Sequence, residues 1–226
     1  MEANRVTVSD ITVCIATFGD EESWSPLVKR AWRSAADQTL SPKDVVYVHG
    51  DDLHVARNAA AADVFDGWLC FLDADDELDP GYLEAMQRTI DGLDSSRRWL
   101  LQPATLGVYP GGATDSAAVV IPRKPLIDGN YMVIGTLISA DQFHRVGAFR
   151  PWACYEDWDL WIRAWLDGAE SQAVPEAIYR VHVSPGSRNN GDRRTQVATY
   201  HAIRNQHLAA SRRRGSGADH HAARHY

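Results

Sequence analysis

The sequence predicts an α/β fold in which a parallel sheet is covered by helices on both faces. Three observations predict it. Apolar, β-branched runs alternate with helix-spaced segments across residues 6–90. Turn signals, Phe18-Gly19-Asp20 and His49-Gly50 among them, separate the runs. A chain of 226 residues, 45% hydrophobic and 23% charged, has the composition of one generous soluble domain and enough length for a layered core.

Each element follows from local pattern. Residues 6–17 (VTVSDITVCIAT) read as the first strand. Residues 26–36 read as a helix with Leu27, Ala31 and Ala35 on one face and Ser25 before Pro26 as its start. A short strand over 45–48, an alanine-rich helix over 56–65, a buried strand over 68–72 and a helix over 80–90 complete a β-α-β-α-β-α series, the signature of a parallel sheet. Residues 99–108, 117–121 and 132–139 read as strands between Pro- and Gly-rich turns. Residues 157–167 form a helix closed by Gly168. Residues 177–183 form a last strand and 193–210 a last helix. One domain over 1–210 is therefore expected, followed by a disordered tail over 211–226 that is low in apolar content.

Charge and cysteine content narrow the function classes. A formal net charge of -7 speaks against a broad basic surface, so no nucleic-acid partner is expected. Cys14, Cys70 and Cys154 are odd in number and widely spaced, with no CxxC pair, which predicts small buried hydrophobes rather than a disulfide framework. The polar start MEANRVTVSD lacks the apolar core of a signal peptide, and no apolar run approaches the roughly 18 residues of a membrane span. A soluble, reduced, cytoplasmic protein is expected.

One stretch asks for chemistry. In WLCFLDADDELDP, residues 68–80, a buried strand runs into Asp73, Asp75, Asp76, Glu77 and Asp79. Carboxylates this close destabilise one another unless a cation or protons neutralise them. Ligands of open α/β sheets bind at the carboxyl ends of parallel strands, and clustered oxygen donors suit a hard divalent ion such as Mg²⁺ or Mn²⁺. A calcium loop is the first rival, with acids at loop positions one, three, five, seven and twelve, but Leu78 stands where its sharp turn needs Gly and Pro80 follows. An aspartyl phosphatase lacks its accompanying Lys and Thr motifs. A solvated acidic turn is the plain alternative.

The surrounding residues decide between them. ARNAAAADVFDGWLCFLDADDELDPGYLEAM, residues 56–86, closely resembles the core of family 2 glycosyltransferases. VCIATFG (13–19) is similar to that family's first strand and nucleotide-contacting loop. QTLSPKDVVYV (38–48) resembles the approach to its second strand. VGAFRPWACYEDWDLWIRAWLDG (146–168) resembles its acceptor-side segment with a Glu-Asp pair, and YRVHVSPGS (179–187) its late Tyr-Arg-x-His element. The motifs keep the family's order over residues 6–190.

The resemblance implies a GT-A (Rossmann-like) fold with a mixed, mostly parallel sheet. It implies inverting transfer of a sugar from a nucleotide diphosphate-sugar, UDP-linked by preference, to an acceptor hydroxyl with Mn²⁺ or Mg²⁺. Asp75 is then the first metal ligand, Asp73 faces the ribose or reaches the metal through water, and His182 completes the site. Asp76 supports it, while Glu77 and Asp79 are expected as exposed charge. Asp157 is the candidate base, and Glu156 positions the acceptor. Thr17 and Phe18 contact the nucleoside, and Arg57 reaches the donor phosphates or sugar, with a surface charge opening a helix as the alternative; the polar segment with Ser184, Ser187 and Arg188 either folds over phosphate or is a solvated linker into the last helix. Trp152 and Trp158 are placed to stack on a sugar or fill core; Trp161 is expected in the core.

The chain also departs from the pattern. Where the family carries Asp-Asp-Gly-Ser, this sequence reads His49-Gly50-Asp51-Asp52, so Asp51 or Asp52 takes the base-holding role only with a shifted register. A helix and strand that usually precede ARN are missing, and Gly19 replaces an Asn. A sugar- or nucleotide-binding module without activity, or a nucleotidyltransferase, are the alternatives. Retention of Asp73, Asp75, Asp157 and His182 together argues against the first, and the single Gly of ATFGDEESW against the second. The acceptor, whether protein, glycan or metabolite, is not specified by any motif.

Overall fold

A computed structural model describes residues 8–119, 125–183 and 192–215. The first strand, β1 (Ile11–Phe18), is buried almost throughout. Helix α1 (Glu21–Ala36) starts earlier than the Ser25-Pro26 signal suggests. Asp20 caps it by accepting from the Glu22 amide, and Glu21 and Glu22 fill the first turn. Pro26 is accommodated inside the helix, where its missing N–H removes a single intrahelical bond. β2 (Asp44–Gly50), α2 (Leu53–Ala61) and β3 (Trp68–Asp73) follow as expected, with α2 beginning almost directly after β2.

Beyond β3 the chain makes the two-residue strand β4 (Glu77–Leu78), α3 (Tyr82–Asp91) and β5 (Trp99–Val108). A 3₁₀ turn (Leu126–Asp128), β6 (Leu137–Ser139), α4 (Ala140–Arg145), α5 (Glu156–Leu166), β7 (Glu170–His182) and α6 (Arg193–Gly215) complete it. Two expected strands shrink. Of 117–121, residues 120 and 121 lie outside the described residues, and among 117–119 only Ala118 bridges, to Thr105; of 132–139 only the last three residues pair. One strand grows: β7 begins at Glu170, not 177. Its polar first half pairs with β5 up to Val174, and a register shift between Pro103 and Ala104 absorbs Pro175, which has no N–H to give a ladder.

Among the described residues seven strands lie in the order β2-β1-β3-β6-β5-β7-β4. The three long ladders, β1 with β2, β1 with β3 and β5 with β7, are parallel; the antiparallel ones at β6 and β4 span two residues each. The sheet is thus mixed, with two parallel blocks joined through β6. From β1 the chain moves one way to β2 and then back past β1 to β3. Right-handed crossovers in opposite directions put α1 and α2 on opposite faces and open a crevice between the carboxyl ends of β1 and β3. Ala16 pairs with Asp73 at that edge, which sets the site.

The core is aromatic as well as aliphatic: Phe71, Tyr82, Phe143, Trp158, Trp161 and Tyr179 are fully buried. Trp158, a candidate sugar platform by sequence, is core. It donates through Nε1 to the Leu126 carbonyl at 2.6 Å and stacks on Tyr200 of α6 with centroids 4.8 Å apart. Helix α6 is pinned there by Arg204 on Asp128 and by His207 on the fully buried Asp159, which also pairs with Arg163. The last helix continues to Gly215, and residues 216–226 of the expected tail lie outside the described residues. All three cysteines are buried and outside any disulfide, and burial pushes the Cys70 thiol up to about 12. They are inert packing groups.

Candidate active site

The acidic turn is built by the pairing of β4 with β7. The Asp76 amide donates to the Asp73 carbonyl at 3.0 Å, closing the turn, and Glu77 and Leu78 then pair with Arg180 and Tyr179. As a result the carboxylates of Asp73, Asp75 and Asp76 come within 4.8 Å of one another. Asp76 is buried. It accepts from the His182 amide at 2.8 Å and from the Tyr179 hydroxyl, while that hydroxyl accepts from the Asp73 amide at 3.1 Å. Burial, then the charge on Asp73, raises the Asp75 carboxyl; burial, then Asp73 and Asp75, raises Asp76 well above the usual range.

Asp73 has a guanidinium partner in Arg57, whereas the Asp75 carboxylate has no ion pair among the described residues. Arg30 holds the Asp75 backbone carbonyl instead, so the turn is fixed while its carboxylate stays open. Three crowded oxygen donors with incomplete neutralisation fit a hard divalent cation. His182 lies at the same edge, with its Nε2 at 2.5 Å from Glu77. Glu77 and Asp79, expected as exposed charge, are half-buried and paired. Glu77 meets His182 and Arg30, and Asp79 accepts twice from Arg180 at 2.5 and 3.0 Å. Antiparallel β4–β7 pairing, invisible to local pattern, carries those partners over the turn.

Tyr179 supports this turn from below and needs Gly135 to do so. A Cβ at position 135 would lie 2.2 Å from Tyr179 Cδ2, and the Gly135 carbonyl accepts from the buried Tyr82 hydroxyl. Neither ring has room to retreat. Gly135→Ala is therefore expected to destabilise the protein by about 1–3 kcal/mol, as overpacking does, and to disorder the Asp73–Asp76 turn. Urea unfolding checks the first part; an unchanged midpoint would show that Tyr179 is free to move.

The opposite wall comes from α2 and α5. Arg57 of the ARN motif is buried and bridges the site, donating to Asp73 and, at 2.6 Å, to Glu156. Asn58, the next residue, makes reciprocal 2.9 Å bonds with the Phe149 backbone and so fixes the loop that leads to α5. Tyr155 enters α5 in the left-handed region at φ 61°, a conformation costly for a non-glycine residue. Glu156 is thereby buried against Arg57, while Asp157 is half-buried. The Asp157 carboxylate accepts from the Trp158 amide at 2.8 Å and from Asn130 at 3.5 Å. Burial first, and Glu156 second, push it up to about 6, with Arg57 opposing. That is a range suited to a general base near neutral pH.

At the carboxyl end of β1, Thr17 is fully buried and its hydroxyl lies 2.9 Å from both the Tyr47 hydroxyl and His49 Nδ1. The Phe18 carbonyl accepts from Trp24 Nε1 at 2.8 Å. Asp51 and Asp52 are exposed just before α2. Arg188, with Ser184 and Ser187, lies outside the described residues. The residues that sequence reasoning missed, Tyr47, His49, Arg30, Asn58, Glu77 and Tyr179, all act through partners distant in the chain. For Tyr47 and His49 a signal did exist: two polar side chains spaced by two at a parallel strand's carboxyl end.

An acidic turn at a topological switch point, faced by a second acid pair across a buried arginine, sits on a mixed α/β sheet of the GT-A fold. Solved structures share it. S. aureus TarS aligns with a TM-score of 0.54 at 15% identity, over 77% of this chain and 37% of TarS. TarS 1–349 in complex with UDP gives 0.57 at 14% identity over 77% of this chain, and in complex with UDP-GlcNAc 0.58 at 13% over 80%. This chain spans 61% of each of those two. No curated protein sequence matches. Residues 42–96, from the approach to β2 through α3, match the model described as glycosyl transferase family 2.

Proposed function

We propose that the protein transfers a sugar from a UDP-sugar to an acceptor hydroxyl with inversion, in a divalent-metal-dependent reaction. The observation that carries this reading is the pairing of two acid groups across the β1–β3 crevice: Asp73, Asp75 and Asp76 on one side, Glu156 and Asp157 on the other. The UDP and UDP-GlcNAc complexes of TarS support the donor class. Asp75, with Asp73 and His182, would hold the cation, which supplies neutralisation of the leaving diphosphate.

The chain's own groups account for the rest. Asp157 takes the proton of the acceptor hydroxyl as its oxygen bonds to the anomeric carbon. The bond from that carbon to the diphosphate oxygen breaks on the opposite face, and the nucleoside diphosphate leaves. A single displacement inverts the centre. Glu156 and Arg57 hold Asp157 in place, and Thr17, Tyr47 and His49 line the nucleoside end. We place the reaction in the cytoplasm, a reading supported by three cysteines that form no disulfide; among the described residues no helix is long and apolar enough to cross a membrane.

The test is release of UDP from UDP-sugars with Mn²⁺ and a panel of hydroxyl acceptors, with the anomeric configuration of any product read by NMR. Stoichiometric UDP and an inverted product support the proposal; pyrophosphate release, or retention, contradicts it. Because Asp157 must be ionised to act, kcat/KM is expected to fall as pH drops through about 6. A profile flat from pH 5 to 8 would remove Asp157 from the role.

A further inference from the structure

We propose that Arg57 is a positioning residue that holds the Glu156–Asp157 pair against the donor acids, and not a ligand of the donor phosphates. The inference rests on the transferase reading above and refines it. The Arg57 side chain is 5% exposed and both terminal nitrogens are committed, Nη1 to Glu156 at 2.6 Å and Nη2 to Asp73. The face of the guanidinium is covered as well, lying 5.3 Å from the Phe149 ring centroid. Asn58 clamps that same Phe149 backbone, so the covering ring is held by the residue next to Arg57. To meet a phosphate, Arg57 would have to abandon a buried ion pair with Glu156, whose side chain is 4% exposed.

The groups around Asp157 explain what the clamp does. Glu156 faces it from α5 itself, Arg57 from α2 and Asp73 from β3, while Asn130 reaches it from the segment after the 3₁₀ turn and the Tyr155 ring stands beside it. Arg57 is the cation of this set; the other charged members are acids. It draws α5 towards β3 and offsets the repulsion of Glu156 on Asp157. Without it Asp157 keeps its proton to higher pH, and the base is blocked.

The experiment uses the full chain as wild type, Arg57→Lys and Arg57→Met. Carboxyl carbons of Asp and Glu are labelled, the Asp157 and Glu156 resonances are assigned with Asp157→Asn and Glu156→Gln, and their titration is followed by NMR. UDP affinity with Mn²⁺ is measured by calorimetry in parallel. The higher midpoint of the pair is expected to rise by about one unit or more in Arg57→Met, and less in Arg57→Lys, which keeps charge without spanning both carboxylates. UDP affinity is expected to stay within about threefold in both, with the loss in kcat rather than KM. An unmoved midpoint in both variants overturns the proposal, and a large loss of UDP affinity with that unmoved midpoint reassigns Arg57 to the donor. If Arg57→Met does not fold, Arg57→Lys decides by the same criterion. The NMR readout needs no turnover, so absence of transfer in the wild type would sink the proposed activity and leave this test standing.

Discussion

Asp157→Asn is expected to slow sugar transfer by ~10²–10⁴-fold at neutral pH while leaving UDP affinity unchanged, the range general-base removal gives. Asn keeps the shape of the side chain and the bond accepted from the Trp158 amide, so α5 begins as before. What disappears is the proton acceptor. Stability responds in a way that separates this from simple damage. The folded-state pKa of Asp157 lies above its unfolded value, raised by burial and by Glu156. The ionised group therefore destabilises the fold above about pH 6, and the wild type gains stability as pH falls from there towards 4. Neutral Asn removes that cost. The variant should melt no lower than wild type at pH 8, with the difference closing towards pH 4. A variant that loses activity and also melts lower at pH 8 would mean that Asp157 is structural.

Asp75→Asn is expected to abolish the metal-dependent part of nucleotide binding, and turnover with it. Its carboxylate is the open one of the three, while the backbone around it is fixed by Arg30 on its carbonyl. The substitution thus changes charge at the site and little else. Loss of a direct oxygen ligand should exceed the roughly 10–100-fold typical of residues that only support a ligand. Residual UDP binding should match that of wild type treated with EDTA. If instead Asp75→Asn binds UDP as wild type does in Mn²⁺, the acidic turn is surface charge with a stabilising fold around it.

The order of elements up to α3 was legible because local signals there are strong: β-branched strands, helix spacing and Gly-bearing turns agree with the parallel sheet that forms. The acidic turn was legible for the same reason, since charge following a buried strand needs an explanation wherever it occurs. What was hidden depends on pairing between distant segments. β4 is two residues long and exists only because β7 runs beside it, so Glu77 and Asp79 read as exposed while in the fold they meet His182, Arg30 and Arg180. The start of β7, ESQAVPE, is polar and broken by Pro175, and only its ladder with β5 makes it a strand. The Arg57–Glu156 ion pair was hidden because nothing local shows Glu156 arriving from 99 residues away. Trp158 was ambiguous until α6 supplied Tyr200.

The measurement that tests the central claim most directly is calorimetric titration of UDP into wild type and Asp75→Asn, each with Mn²⁺ and with EDTA. The account predicts tight binding only for wild type with Mn²⁺, and weak, metal-indifferent binding in the other three. Equal affinity in all four, or no binding to a folded wild type, would contradict a metal-assisted UDP-sugar site at the β1–β3 edge.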